Sequence, residues 1–412
     1  MNGRLKNIKK WLYPGIRIKR WILLSFFGVF LVIFGSNQLR SQEITIIQLL
    51  DGIVLVSGII ILALGFIRLM NSLFAAFLPS VRENELVDAL YLRTCLDRGP
   101  KIVAVGGGTG LSVLLSGLKE YSSRITAIVT VADQGGSSGR LRQQFDILPP
   151  GDIRNCLVAL ADASTLMRDL FQFRFEEGSE FAGHSFGNLF ITAMTKLTGD
   201  FEKAVKETSK VLALRGQVIP STLTNVVLGA QYKDGSIVEG EDKIPKANLP
   251  IEKVFLKPDN PEATPEALRA IKDADIIIIG PGSLYTSILP NLLIKGIMDA
   301  IADAKATKVY VCNVMTQPGE TDGYSASMHV KALVQQSHPR LFDYCVVNTG
   351  MIPASMLKRY GQENAYPVVN DRKLIEKMGY RVLEEDIVTI DKAIRHDSVK
   401  LSKIIFNFLE EI

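Results

Sequence analysis

The stretch KIVAVGGGTGLSVLLSGLK, residues 101–119, decides the fold of this chain. It starts with a short β-branched run, continues through four glycines in five positions and ends in an amphipathic pattern. This order predicts a strand, a phosphate-binding loop and a helix, because a helix N-terminus offers free backbone N–H groups to an anion. The strict dinucleotide fingerprint needs a third glycine at position 111, where this chain has Leu111. A tight turn without a ligand is the alternative.

Composition indicates a folded protein with a membrane segment. Of 412 residues, 47% are hydrophobic and 22% are charged, and the net charge is +4. Basic residues crowd the first 20 positions, so the expected partner is a membrane surface and not nucleic acid. The four cysteines show no pairing or metal-ligand spacing, which predicts free thiols in a reducing compartment.

Two apolar runs precede the glycine-rich stretch. They predict transmembrane helices at about 21–37 and 46–67, joined as an antiparallel hairpin, and a cleaved signal peptide is the alternative for the first run. Lysine and arginine lie mainly outside the hairpin, since only Arg40 falls between the two runs. The positive-inside rule then places both ends in the cytoplasm, as in a multi-pass protein of the plasma membrane. Residues 71–100 are expected to be a juxtamembrane linker and 101–412 a soluble domain.

Polar loops follow several predicted strands of that domain. ITAIVTV at 125–131 leads into ADQGGSSGRLR, where Asp133 can hold a ribose hydroxyl or a metal ion and Ser137, Ser138 and Arg140 can bind an anion. Four isoleucines at 276–279 precede a second glycine-rich loop, and runs near 308–313 and 342–348 repeat the format. Parallel strands deliver such loops to one edge of a sheet, so the loops are expected to converge.

The pattern as a whole predicts an α/β fold. We expect a Rossmann-like, doubly wound and mainly parallel sheet with a helical insertion after about residue 150, preceded by the two-helix hairpin. The segment 217–257, with a hairpin turn at 233–236, is expected to extend or cap the sheet. Asp152 and Ser398 each stand where a helix N-cap would be, and His184 suits a capping or ligand-positioning role better than catalysis.

Seven blocks occur in order: GGGTG, ADQGGSSGRLR, PPGDIRN, GHSFGNL, GPGSLYTS, NVMTQPGET and RHDS. With these blocks the domain resembles the bacterial gluconeogenesis factor family, also called YvcK or GlmR, over about residues 101–412. That family is related to the 2-phospho-L-lactate transferases of coenzyme F420 synthesis. The resemblance does not cover the membrane hairpin. The bacterial family that it implies, together with the hairpin and the positive-inside rule, predicts a protein of the bacterial inner membrane with its soluble domain in the cytoplasm.

The resemblance implies a regulatory protein that binds UDP-N-acetylglucosamine or UDP-glucose and links gluconeogenic growth to cell-envelope precursor supply and cell shape. Glucosamine-6-phosphate synthase is the implied partner, and a homo-oligomer is expected. By motif, the nucleotide sugar is expected near Gly107, Gly108, Thr109, Gly110, Asn188, Gly282 and Ser283, with Tyr360 and Arg395 also in contact. Ser398 stands where related proteins carry a phosphorylatable hydroxyl.

One departure from the family pattern bears on catalysis. The family has two adjacent acids where this chain reads Asp133-Gln134. The related transferases use acids there for a metal, and losing one carboxylate weakens a candidate Mg²⁺ site that relies on one or two carboxylates and substrate phosphates. The leading expectation is therefore a binding protein without turnover. A Mg²⁺-dependent transferase with Asp133 on the metal is the alternative, and an NAD-dependent dehydrogenase is a third, supported by the strand and loop signature alone.

Overall fold

A computed structural model describes residues 18–38, 46–77 and 95–410, apart from 177, 179 and 392. The chain divides into two compact units, Met1–Tyr91 and Leu92–Ile412. The basic residues before 18, Arg40, and most of the expected linker lie outside the described residues. The division at 91 and 92 falls within the expected linker.

The first unit contains two long apolar helices, α1 (Ile18–Gln38) and α2 (Ile46–Phe77), which pack antiparallel. Glycines bring their backbones together: a Cβ on Gly28 would lie 2.6 Å from the Leu62 nitrogen, and one on Gly65 would lie 2.7 Å from the Ser25 hydroxyl. Both expected helices are present, and the second continues ten residues beyond its expected end. Stretches Lys19–Asn37 and Leu50–Ser72 are long and apolar enough to cross a membrane, with mean hydropathies of 1.6 and 2.6.

A seven-stranded sheet forms the centre of the second unit. Its order is β10-β9-β8-β7-β1-β2-β3, and every neighbouring pair is parallel. The central strands are buried along their whole length, as expected for apolar runs covered by helices on both faces. The strands are β1 (Ile102–Gly106), β2 (Ile125–Val129), β3 (Gln217–Pro220), β7 (Ile276–Ile279), β8 (Thr307–Val311), β9 (Tyr344–Asn348) and β10 (Arg381–Glu385). The expected doubly wound parallel sheet is confirmed.

Helices fill the connections between these strands. The expected helical insertion lies between β2 and β3. The helices of the unit are α3 (Gly108–Leu118), α4 (Gly136–Phe145), α5 (Gly151–Leu160), α6 (Thr165–Gln172), α7 (Phe186–Thr198), α8 (Phe201–Val211), α9 (Pro265–Lys272), α10 (Leu289–Leu292), α11 (Ile297–Asp303), α12 (Ala326–Gln335), α13 (Ala354–Gly361), α14 (Arg372–Lys377) and α15 (Ser398–Glu410). A π-helical turn at Leu284–Ile288 and a 3₁₀ turn at Pro245–Ala247 complete them.

The segment 217–257 divides between two sheets. β3 extends the main sheet at its edge, as expected. β4 (Val227–Tyr232), β5 (Ile237–Glu239) and β6 (Ile251–Lys257) instead form a separate antiparallel sheet, and the predicted turn joins β4 to β5 with Gly235 at a φ of 86°. A third, two-stranded sheet pairs β11 (Val388–Ile390) with β12 (Ile394–His396).

The final helix, α15, packs against α3. The two helices touch at Gly117, where a Cβ would lie 2.1 Å from the Ser398 carbonyl oxygen. The expectation that Ser398 is the N-cap is wrong, because the Asp397 carboxylate accepts the N–H groups of Val399 and Lys400 at 3.0 Å. Ser398 instead begins the helix, half-buried, and the contact between α3 and α15 connects the glycine loop to the C-terminal segment.

Candidate functional site

The first glycine loop joins β1 to α3 and faces the second glycine-rich loop. Gly107 occupies the N-cap of α3 and has no side chain with which to cap it, so the N–H groups of the first helical turn point to the loop. Gly108 has a φ of 64°, in the region that glycine adopts without strain. A Cβ on Gly110 would lie 2.5 Å from the Pro281 carbonyl oxygen, so glycine there lets the two loops touch.

A cavity of about 390 Å³ lies at the carboxyl ends of β1, β7 and β8, a size in the range of ligand pockets. Its lining comes from the two glycine-rich loops, the segment 313–318 after β8, helix α13 and strand β12. We call it the loop cavity. The expected residues that line it are Gly107, Gly108, Thr109, Gly110, Gly282, Ser283, Tyr360 and Arg395. The expected convergence of loops around this cavity therefore holds for three strands, while the loops after β2 and β9 do not line it.

The C-terminal wall of the loop cavity is held by backbone contacts. The Tyr360 hydroxyl accepts the N–H of Ile394 at 3.0 Å, which ties α13 to β12. The imidazole of His396 donates from Nε2 to the Cys312 carbonyl at 3.1 Å, which ties β12 to the end of β8. Burial lowers the pKa of His396 to about 4, so the ring is neutral at physiological pH. Arg395 lies between these two anchored residues with an exposed side chain.

Several other expected ligand residues lie in a separate buried polar group. The Ser137 hydroxyl accepts the Asn188 side-chain amide at 3.1 Å and lies 2.9 Å from His184 Nδ1. Ser138 is buried, and Arg140 donates to the Ala182 carbonyl at 2.9 Å. None of these residues lines the loop cavity. In this structure Ser137, His184 and Asn188 connect α4 to α7 and the turn before it, while Ser138 forms a hydrogen bond with Asp133. Ser185, and not His184, is the N-cap of α7.

Four carboxylates lie behind the first glycine loop. Asp152 is the nearest, because a Cβ on Gly107 would lie 2.7 Å from its Oδ2, and it accepts the N–H of Gly108. The expectation that Asp152 caps a helix is wrong: Pro150 is the N-cap of α5 and Asp152 lies in its first turn. A Cβ on Gly151 would lie 2.9 Å from Asp133 Oδ2, so Asp133 is adjacent. Asp133 Oδ1 accepts the Gly135 N–H at 2.8 Å.

The other two carboxylates come from distant parts of the sequence. Burial and the charges of Asp133 and Asp152 raise the pKa of Glu241 to about 8. Burial raises the pKa of Glu320 to about 7, although Thr286 and Gln317 donate hydrogen bonds to it. Burial and the Asp133 charge raise the pKa of Asp152 to about 7, and burial raises that of Asp133 itself. Perturbed carboxyl groups of this kind often mark functional sites.

The donor set of these carboxylates decides whether they can hold Mg²⁺. Within the described ranges, no three histidine, cysteine, aspartate or glutamate side chains lie close enough together to hold a metal ion. Mg²⁺ nevertheless needs only one or two carboxylates when phosphates and water supply the rest of its shell. Asp133 and Asp152, two neighbouring carboxylates beside a phosphate-type loop, fit that arrangement, whereas a site built from protein ligands alone does not fit.

The sequence singles out Asp133 as a candidate ligand but not the three other carboxylates. Asp152 follows a Pro-Pro-Gly turn, a position typical of a cap, and nothing local shows that it faces the glycine loop. Glu241 lies just after β5 in the small antiparallel sheet, and Glu320 follows β8, so only the tertiary fold brings their charges together. The one local signal was the density of polar residues in 316–322.

Known proteins are similar to this chain in sequence and in fold. Residues 102–388 match the family model described as 2-phospho-L-lactate transferase CofD. The gluconeogenesis factor of Bacillus subtilis is 52% identical over 76% of this chain and 99% of its own length. A relative from Nostoc sp. is 49% identical over 98% of this chain and 93% of its own length.

A solved structure agrees with these relatives. A crystal structure of a Bacillus halodurans protein is 48% identical, with a TM-score of 0.73 over 75% of this chain and 100% of its own. The expected resemblance is confirmed for the second unit, and the Nostoc relative extends it through most of the first. The chain belongs to the gluconeogenesis factor family, with a CofD-like domain over residues 102–388.

Proposed function

We propose that the loop cavity binds a UDP-sugar, UDP-N-acetylglucosamine or UDP-glucose, and that the protein is a sensor of this ligand. The observation that carries the proposal is the meeting of two glycine-rich loops, Tyr360 and Arg395 around one cavity. Asp152 accepts the N–H of Gly108, and the other N–H groups in the first turn of α3 favour the diphosphate, while Arg395 can pair with its oxygens. Apolar side chains such as Met315 and Ile394 form part of the lining, as is usual for ligand pockets, and the hydroxyl of Thr316 and the side-chain amides of Asn313 and Gln317 lie among them and can bind a polar ligand.

Calorimetric titration of the full-length protein in detergent tests this proposal. UDP-N-acetylglucosamine and UDP-glucose are titrated separately, with UDP as a third ligand. Arg395→Ala should weaken binding by roughly tenfold or more, since a charge-assisted hydrogen bond contributes about 1.5–3 kcal/mol. Arg340→Ala is the matched control, because Arg340 pairs with Asp303 at the amino ends of the strands. No heat with any of the three ligands at millimolar concentration would exclude the proposed site.

We propose further that the ligand-bound state is read by a partner enzyme in envelope precursor synthesis, with glucosamine-6-phosphate synthase as the candidate. Family membership supports the choice of this partner, and the proposal does not rest on a particular docking surface. Co-purification of the two proteins should change when UDP-N-acetylglucosamine is added, and Arg395→Ala should remove the ligand effect. Equal co-purification under all conditions would argue against this partner.

A second candidate function, a transferase of phosphorus-containing groups, is favoured by the four carboxylates. Asp133 and Asp152 lie beside the glycine loop, where Mg²⁺ would bridge protein and ligand phosphates and offset their charge. This candidate requires Mg²⁺-dependent turnover that Asp133→Asn abolishes while UDP-sugar binding persists. A protein that binds the ligand without turnover, with and without Mg²⁺, is the sensor of the first proposal.

A further inference from the structure

A second cavity opens beside the loop cavity. Its volume is about 560 Å³, and it shares Thr109, Val113 and Arg395 with the loop cavity. Its remaining walls come from the part of α3 beyond the glycine loop together with Lys119, from α5, and from α6 together with Arg174. None of these residues is among the ligand residues expected from the sequence. We call it the arginine cavity, because of the side chains that line it.

The charge of the arginine cavity is strongly positive. Its cationic side chains are Lys119, Arg154, Arg168, Arg174 and Arg395, whereas Asp169 is the one acidic side chain in its lining. Like charges held together in this way repel one another. Burial, followed by repulsion from Arg168, lowers the pKa of Lys119. Such an arrangement is stabilised when an anion enters.

Arg154 is the deepest of these cations. Its side chain is 6% exposed, and its stem passes over Gly187, where a Cβ would lie 2.8 Å from Arg154 Cδ. One of its terminal nitrogens donates to the Asn155 side chain, while the buried Nε has no hydrogen-bond partner in the described structure. Burial and the charge of Arg174 lower the pKa of Arg154 only to about 10, so it stays charged at neutral pH. A buried charge without full pairing is costly.

Four arginines of the described residues form ion pairs with carboxylates. Arg215 pairs with Asp162, Arg340 with Asp303, and Arg372 with Glu376 and Glu384. Among the ion pairs of the described residues, none contains Arg154 or Arg168. The half-buried Arg168 donates only a long bond, 3.4 Å, to the Thr165 hydroxyl within the described structure. Asp152 and Asp133 offset part of the Arg154 charge, but the lining of the arginine cavity still holds five cationic side chains against the single carboxylate of Asp169.

We propose that the arginine cavity binds a small soluble phosphate monoester, next to and independently of the ligand of the loop cavity. A monoester carries close to two charges at neutral pH and three acceptor oxygens, which match the planar donor forks of several arginines. A phosphodiester carries a single charge, which fits this cluster less well. The hydroxyl oxygens of Ser112, Ser116 and Thr165 line the same walls and can accept hydrogen bonds from the rest of the molecule.

The test is a calorimetric titration of the full-length protein in detergent, without nucleotide. The probes are inorganic phosphate, glucose 6-phosphate, glucose and dimethyl phosphate. We expect glucose 6-phosphate to bind, dimethyl phosphate to bind more weakly and glucose to give no heat. Arg168→Gln should weaken glucose 6-phosphate binding by at least about tenfold, and Arg168→Lys should retain part of it. Arg168 is chosen over Arg154 because its half-buried position permits substitution without disturbing the core.

Two controls make the result specific to this cavity. Arg340→Gln removes an equally charged but remote arginine and should leave glucose 6-phosphate binding unchanged, and Arg168→Gln should leave UDP-sugar binding within about twofold. The proposal is overturned by an absence of phosphate or glucose 6-phosphate binding at millimolar concentration, by equal loss in both variants, or by complete displacement of the phosphate by saturating UDP-N-acetylglucosamine. The main titration contains no nucleotide and therefore does not depend on the proposed UDP-sugar site. If only that site is wrong, glucose 6-phosphate still binds and UDP-sugars give no heat.

Discussion

Two glycines of the first loop are needed for space and not for backbone freedom. Gly107 has a φ of −172°, an extended conformation that other residues also adopt, yet a Cβ there would meet Asp152 and Thr130 at 2.7 Å. A Cβ on Gly110 would meet the Pro281 carbonyl. Glycine is needed at these two positions because the loop lies so close to its neighbours. These steric requirements differ from those of the dinucleotide fingerprint, and so does the spacing of the glycines.

We predict that Gly110→Ala pushes the two glycine-rich loops apart. Forcing a methyl group against backbone typically costs about 1–3 kcal/mol, and we expect UDP-sugar affinity to fall by at least about tenfold. Thermal unfolding and calorimetry of the same sample measure the two effects. Gly106→Ala is the matched control, because its Cβ would meet its neighbours at 3.7 Å or more, an ordinary contact. Equal losses in the two variants would contradict the steric explanation.

Glu320 predicts a pH dependence of stability. Its folded pKa of about 7 lies above the unfolded value of about 4.3, so the folded protein holds the extra proton between these values. Stability contributed by this group is therefore present at low pH and is lost as pH rises through 7. We expect Glu320→Gln to unfold at a higher temperature than the unmodified protein at pH 8, with a smaller difference at pH 5.

The size of the Glu320 effect is bounded by its pKa shift. A shift of between two and three units corresponds to at most about 3–4 kcal/mol, and the hydrogen bonds from Thr286 and Gln317 persist in the amide variant through Oε1. Glu207→Gln serves as the control, because Glu207 is an exposed partner of Lys210. A difference between Glu320→Gln and the unmodified protein that does not change with pH would show that the carboxyl group does not titrate in this range.

At the scale of elements, α15 packs on α3, the helix that follows the first glycine loop, and we call this helix contact the clamp. Helix α15 follows β12 directly and packs on α3 at Gly117, so the position of Arg395 depends on this helix contact. We predict that Gly117→Ala, whose Cβ would lie 2.3 Å from the Ser402 hydroxyl as well, lowers both stability and UDP-sugar affinity. Thermal unfolding and calorimetry measure the pair of effects.

The control for the clamp is Ser402→Ala. The Ser402 hydroxyl is buried and has no hydrogen-bond partner in the described structure, so its removal should be neutral or slightly stabilising. If Gly117→Ala lowers stability while ligand affinity stays constant, the helix contact does not position Arg395 and the clamp is purely structural.

The sequence predicts best those elements whose formation depends on neighbouring residues in the chain. Four isoleucines in a row and a β-branched run before glycines are intrinsic strand signals, and β7 and β1 appear where expected. The sequence does not predict the separate sheet of β4, β5 and β6, because the alternation of apolar and polar residues along a strand does not determine which strand it pairs with. The same limit applies to Asp397 and Ser398, where either side chain suits a cap and only the geometry selects Asp397.

At the scale of the whole molecule, part of the site follows from topology alone. Parallel strands must deliver their loops to one edge, so the meeting of Gly108, Gly282 and the segment after β8 could be predicted. The grouping of the carboxylates could not be predicted, because Glu241 comes from a separate sheet. The arginine cavity could not be predicted either, because Arg154 and Arg168 line it from two helices of the insertion, and the hydrophobic periodicity of those helices does not specify how they pack.

The hairpin and the basic N-terminus together predict a membrane topology with both ends in the cytoplasm. Cys95 is the exposed cysteine at the start of the second unit, whereas Cys156, Cys312 and Cys345 are buried. A membrane-impermeant maleimide should therefore leave Cys95 unlabelled in spheroplasts and label it after lysis. In a Cys95→Ser background, Ser41→Cys, between the two apolar helices, should be labelled in intact spheroplasts. Reversed labelling would place the domain outside, and labelling of both positions only after lysis would show that the hairpin does not cross the membrane.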